Sequence, residues 1–205
     1  MAEPLRSGRP SVEERRAQIL DAAVRCVRQA GFHGASMAEI AQAADLSVGQ
    51  IYRYFENKES IVAAIVAQDV AEMREKFSKL EASGAPILQA IIETCPNAII
   101  RNYDPDRAAL WLEVLAEAGR NPRVAEILRR ADAEEREFRM TFLRRVAPPG
   151  CSNEELVARG EALSMVFEGM VVRGLNNPDG DLTAIGKVLS SVIRHLLTDP
   201  PRGEP

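Results

Sequence analysis

The 205-residue chain has only two histidines and three cysteines. Cys26, Cys95 and Cys151 are odd in number and far apart, and none forms a CxxC pair. Neither a disulfide framework nor a zinc site is therefore indicated. No metal-ligand pair stands at helical spacing, and there is no nucleophile motif and no phosphate-cradling glycine loop, so an enzyme is disfavoured and no cofactor is expected. Aromatic residues make up 5% of the chain, and six of them follow residue 60. A cage of rings for a flat cation is poorly supplied by so few. The longest apolar run, Ile61 to Ala67, is far too short to span a bilayer, and no signal peptide opens the chain. A cytoplasmic protein without a membrane partner is expected. No segment alternates for long enough to be a strand, and the self-similarity of a solenoid is missing.

Helical periodicity is what remains. Hydrophobic residues are 46% of the chain, enough for a real core, and the net charge is −4. That charge is unevenly placed. Through residue 60 eight basic side chains balance eight acids, leaving 18 bases against 22 acids beyond. A front that meets a polyanion and a solvated acidic back fit this asymmetry.

Taken in order, residues 1–10 hold Arg6-Ser7-Gly8-Arg9-Pro10 without apolar periodicity. They read either as a disordered terminus or as a basic arm that brings Arg6 and Arg9 to phosphates or a minor groove. Ser11 and Glu14 form a capping box that opens a helix to about Ala30, with Gly31 as its stop. Ser36 with Glu39, then Ser47 with Gln50, repeat the box and mark two short helices around an Asp45-Leu46-Ser47 turn. On a helical wheel Val48, Ile51 and Phe55 face the first of these helices. Gln50, Arg53 and Tyr54 point away, with Gly49 and Tyr52 on their flank. A surface helix dressed in this way has donors and acceptors for base edges and phosphates. Glycine in its first turn costs about 1 kcal/mol relative to alanine, which close approach to a groove wall would justify. The pair reads as a helix-turn-helix, with the second helix as reader.

Asn57 caps a long helix that runs toward Leu80. Helical patterns follow over 86–102, 105–118, 122–146, 153–175 and 182–197. The expected fold is all-α, with about nine helices. A three-helix bundle with the helix-turn-helix at residues 11–57 precedes a larger helical domain at 58–199 and a disordered tail at 200–205.

Ser47-Val48-Gly49-Gln50-Ile51-Tyr52-Arg53-Tyr54-Phe55, followed by Asn57-Lys58-Glu59, resembles the signature of the TetR/AcrR family of bacterial transcriptional regulators. Ile19-Leu20-Asp21-Ala22-Ala23 and the Gly31-Phe32 leading to Ser36-Met37-Ala38-Glu39-Ile40-Ala41 strengthen the likeness, which covers about the first 60 residues. The resemblance implies a dimeric repressor on a palindromic double-stranded DNA operator, released by a small apolar effector and controlling efflux or catabolic genes. It places Ser36 and Ser47 on phosphates through their hydroxyls and helix starts. Gly49 and Gln50 approach base edges, with Val48 on the same surface. Tyr52 and Tyr54 reach phosphate oxygens, and Lys58 clamps the backbone. Arg53 reads guanine or holds a phosphate. The effector would lie in the larger domain, near Tyr103, Trp111, Val114, Phe138, Phe142, Phe167 and Met170, with Glu113 and Glu117 beside Trp111. For the first seven, ordinary core packing is the competing reading, while Glu113 and Glu117 read either as partners for a cationic compound or as a solvated charged face.

The last two helices would form a four-helix homodimer interface. Leu156, Leu163, Phe167 and Val171 would come from one, and Ile185, Val188, Leu189, Val192, Ile193 and Leu196 from the other. Gly160 and Gly174 would allow close approach. The rival readings are a helical enzyme and a scaffold that binds no DNA, and a salt-dependent shift on duplex DNA separates both from a repressor. Cys95 or Cys151 reads either as an inert thiol or as a redox sensor.

Overall fold

The computed structural model describes residues 10–82, 84 and 86–200. Arg6, Arg9 and the tail from residue 201 lie outside the described residues. Among those described there are nine helices and no strand. The chain divides into two compact units, with the boundary between Ile65 and Val66 inside the long fourth helix.

In the first unit, α1 (Val12–Gly34) starts at a complete capping box. The Ser11 N–H donates to Glu14 at 2.7 Å, and the Glu14 N–H donates to the Ser11 hydroxyl at 3.1 Å. Its regular turns break at Gly31, whose φ of 71° and ψ of 171° belong to a region that only glycine occupies cheaply. Phe32 can thereby turn inward and be buried. α2 (Met37–Ala43) and α3 (Val48–Ile51) open with the same two-way boxes at Ser36 and Ser47. Between them the Leu46 N–H donates to the Ala41 carbonyl and the Asp45 N–H to that of Gln42. This is a Schellman turn, closed by Asp45 at φ 53°. Ile19, Ala22, Ala23, Ile40, Ala41, Ile51 and Phe55 form the core of the unit, and Ala30 is exposed.

α3 is shorter than its sequence pattern. Regular α-helix ends at Ile51, and Tyr52–Tyr54 continue as tight turns in which Arg53 and Tyr54 donate three residues back. Burial of Phe55 draws the backbone inward. Arg16 fixes the turn by donating to the Tyr54 carbonyl at 2.8 Å while its guanidinium lies 4.3 Å from the Phe55 ring centre.

α4 (Lys58–Ala82) begins where Asn57 accepts from the Ser60 N–H. The second unit then comprises the rest of α4 with α5 (Ile87–Asn102), α6 (Pro105–Ala118), α7 (Pro122–Val146), α8 (Asn153–Asn176) and α9 (Leu182–Thr198). Side-chain caps at Asp104, Asn121, Ser152 and Asp181 start the last four. Cys95 and Ile99 of α5, Met140 and Leu143 of α7, Leu156, Leu163 and Met170 of α8, and Ile193 and Leu197 of α9 form one core cluster. Gly174 lets α8 approach the end of α5 so closely that a Cβ there would stand 2.5 Å from the Tyr103 carbonyl oxygen. Arg159 of α8 donates to the carbonyls of Leu196 and Asp199, which ties down the end of α9.

Candidate nucleic-acid interface

Core contacts fix α3 from behind. Ile51 and Phe55 are fully buried, while Val48, Gly49, Gln50, Tyr52 and Arg53 are exposed and Tyr54 is half-buried. Val48, which the wheel turned toward α2, is instead 43% exposed. Its exposure puts it on the same surface as Gly49 and Gln50. Tyr52 is 53% exposed. A Cβ built at Gly49 would meet nothing within 4 Å.

The two capped helix starts differ in charge. At Ser47 the N–H donates to the neutral Gln50 amide oxygen at 2.8 Å, and the Ser47 hydroxyl accepts from the Gln50 N–H at 3.3 Å. The Gln50 amide nitrogen remains available as a donor. At Ser36 the capping partner is the Glu39 carboxylate, 2.7 Å from the Ser36 N–H. The Ser36 backbone and then its hydroxyl hold the Glu39 carboxyl below its ordinary value. A negative charge thus already occupies the α2 start, which weakens it as a phosphate seat relative to the α3 start.

Lys58 has a different first role from the one its motif position implies. Its ammonium donates to the Phe32 carbonyl at 2.6 Å and lies 4.5 Å from the centre of the Phe32 ring. It anchors the segment after the Gly31 break, and a phosphate clamp can draw only on its remaining hydrogens. Arg25 and Gln18 likewise spend donors on the α2 carbonyls of Ala43 and Ala44. His33 is exposed beside the Phe32 ring.

In the second unit, several residues expected to line an effector site are taken up by the fold. Tyr103 is buried, and its hydroxyl donates to the Asn177 carbonyl at 2.8 Å, pinning the end of α8. Val114 and Met170 are buried in the packing, and Phe167 packs half-buried against the core. Glu117 is buried and accepts from Arg120 and Asn121, closing the α6–α7 turn. Trp111 and Glu113 are half-buried. Phe138 and Phe142 meet the Phe77 ring of α4. An open hollow of about 370 Å³ beside Pro122, Arg123, Glu126, Ile127 and Arg130 includes none of these residues.

Sequence periodicity missed a charged group in this unit. Asp69 of α4 accepts from Arg101 of α5 and Arg107 of α6, and Arg101 also reaches Glu72. Glu135 and Arg139 of α7 lie near it, with burial first and the Asp69 charge second pushing the Glu135 carboxyl up. The one available signal was that Glu135 and Arg139 share helical spacing with Phe138 and Phe142.

The expected dimer residues also divide. Leu156, Leu163, Val171 and Ile193 are buried, three of them in the core cluster, so the chain itself consumes them. Phe167, Ile185, Leu189 and Leu196 are half-buried. Val188 at 65% and Val192 are exposed, joined by Met165 at 68%, Val172 and Leu175. Gly160 and Gly174 serve contacts within the chain, against Leu143 and Tyr103. Cys95 is buried and its thiol is pushed up by burial, which disfavours the reactive thiolate, and Cys151 packs against the core.

Two family models match the chain. The one for bacterial regulatory proteins of the tetR family covers residues 19–65, and the one for the C-terminal part of BetI-type transcriptional repressors covers residues 88–198. The HTH-type transcriptional regulator UidR of Escherichia coli K12 is 32% identical over 114 residues, which are 56% of this chain and 57% of UidR. The match thus spans little more than half of that relative's length. A putative transcriptional regulator from Pseudomonas aeruginosa PAO1 shares the fold, with a TM-score of 0.76 at 23% identity over 92% of both chains. So does Bacillus subtilis FadR in complex with stearoyl-CoA, with a TM-score of 0.71 at 19% identity over 88% of this chain and 97% of that one. The second model alone takes in more than half of the residues, and with the first it establishes that this chain belongs to the tetR family of bacterial regulatory proteins.

Proposed function

We propose that the protein is a DNA-binding transcriptional repressor that lays α3 in the major groove of a palindromic operator as a homodimer and is released by a small-molecule effector. One observation carries this reading: α3 buries Ile51 while Val48, Gly49, Gln50, Tyr52 and Arg53 stand exposed. Gln50 supplies a bidentate partner for adenine, Arg53 one for guanine or a phosphate, and Tyr52 and Tyr54 supply phosphate donors. The neutral cap at Ser47 leaves the positive end of α3 open to a phosphate. Arg6 and Arg9 add a basic arm ahead of α1, and Lys58 and Ser36 contribute at the margin.

The exposed Val188, Val192, Met165, Val172 and Leu175 supply an apolar face for a second copy. Two readers would then meet half-sites about 34–36 Å apart. Bacillus subtilis FadR, which shares the fold, was solved in complex with stearoyl-CoA, and this supports an organic effector here. The efflux or catabolic target genes belong to the same reading.

Duplexes selected from a random pool with the full chain should share an inverted repeat. Their affinity, followed by fluorescence anisotropy, should fall steeply with salt. Selection that returns no repeat, or binding indifferent to salt, overturns the proposal.

A further inference from the structure

On α7, Glu135, Phe138, Arg139 and Phe142 share one face at helical spacing. Phe138 and Phe142 meet Phe77 of α4, with ring centres 4.8 and 5.8 Å apart. Arg139 runs beside α8, where its Nε is 3.7 Å from the place a Cβ would occupy at Gly160. Its Nη2 is buried and makes no hydrogen bond. The ion-pair contact of that nitrogen with Asp132 Oδ1 is 3.9 Å, too long to be one. One turn along α8 from Gly160, the Ser164 hydroxyl is also buried without a hydrogen-bond partner.

α7 and α8 are neighbours joined by a short connection, so they run antiparallel. A guanidinium that starts level with Gly160 and leans back toward Asp132 therefore leans toward the level of Ser164. The cations around it are already engaged, since Arg101 and Arg107 both donate to Asp69. Arg136 pairs with Glu161 and Asp132. Two buried donors are thus left open on facing helices, on the side of α7 that carries Phe138 and Phe142, and an acceptor oxygen brought by a ligand would satisfy them.

We propose that Arg139 Nη2 and Ser164 Oγ receive the carboxylate of an amphipathic organic acid, whose apolar body lies along Phe77, Phe138 and Phe142. This deepens the effector reading above and rests on it. The carboxylate accepts from the planar guanidinium and from the serine hydroxyl, supplying the hydrogen-bond acceptor that Nη2 and Oγ both lack. Glu135 sits on the same face, among Asp69 of α4, Arg101 of α5, and Asp132 and Arg139 of α7. Burial raises its carboxyl pKa.

Calorimetric titration of the full chain with octanoate, octanamide and octylammonium at pH 7 tests the site without DNA. Octanoate should bind at least tenfold more tightly than either isostere. Arg139→Gln should bring octanoate within twofold of octanamide, and Arg139→Lys should recover part of the preference. Should Arg139→Gln fail to fold, Ser164→Ala removes one hydroxyl and should weaken octanoate alone by threefold or more. Equal affinities for the three probes, including none detectable, overturn the site, as does a preference for octanoate that survives both variants. A chain that binds selected duplex but is indifferent to octanoate overturns this inference and leaves the repressor reading standing. A chain that binds octanoate and no duplex does the reverse.

Discussion

The two units solve opposite problems with their polar side chains. In the first, Ser11, Ser36 and Ser47 fix three helix starts, while Arg16, Gln18 and Lys58 fix carbonyls. These donors and acceptors are spent on holding α3 in place, and the face it presents outward is left bare. In the second, polar groups go inside: Asp69 draws arginines from two helices, Glu117 closes a turn, and Arg139 and Ser164 keep buried atoms unbonded. The first unit closes its internal hydrogen bonds around α3, and the second leaves two buried groups open.

That contrast can be broken from either side, and the largest effect is expected in the second unit. Gly174→Ala sets a Cβ against the Tyr103 backbone, which cannot move aside as a flexible side-chain end could. It should cost at least about 1–3 kcal/mol in urea unfolding. Gly31→Ala is the counterpart in the first unit, where the φ of 71° and ψ of 171° should cost about 1–3 kcal/mol. If the units are as distinct as their contacts, hydrogen exchange should quicken mainly in residues before 66 for Gly31→Ala and mainly after them for Gly174→Ala. For recognition, Gln50→Ala should relax preference at one base position by about 1–3 kcal/mol in competition binding, while leaving the others intact.

A smaller effect sharpens the comparison through pH. The Glu39 carboxyl is held low by Ser36, so its stabilisation is present above the ordinary carboxylate value and is lost as acid protonates it. Glu135 has the opposite sign. Its raised folded-state pKa makes the folded protein hold the proton more tightly, so stability is lost as pH rises through that value. Glu135→Gln should therefore raise the melting temperature at pH 7, and its advantage should shrink as the pH approaches 4.5.

The sequence made the first unit legible because its signals are local. Each capping box is four residues long, and Ser11, Ser36 and Ser47 all make the bonds their spacing implies. What escaped was the tightening after Ile51, which depends on Arg16 reaching Tyr54 from 38 residues away. Helix positions in the second unit were equally readable from their prolines and caps. Which way the residues face was not. Leu156, Leu163 and Ile193 look alike whether they meet α5 and α7 or a second chain, and Glu135 and Arg139 look like any solvated pair. Periodicity gives an angle around one helix. The neighbour at that angle is set by contacts distant in sequence, such as Gly174 against Tyr103.

The emptiness around Gly49 has a consequence of its own. Nothing in the chain stands where its missing methyl would go, so folding has no use for glycine at that position. Gly49→Ala should gain up to about 1 kcal/mol of stability, because alanine is the better helix former. If the same variant loses affinity for its duplex, three hydrogens and a carbon will have measured how near the nucleic acid comes. A thermometer and a binding curve moving in opposite directions would separate what the protein requires of itself from what its target requires of it.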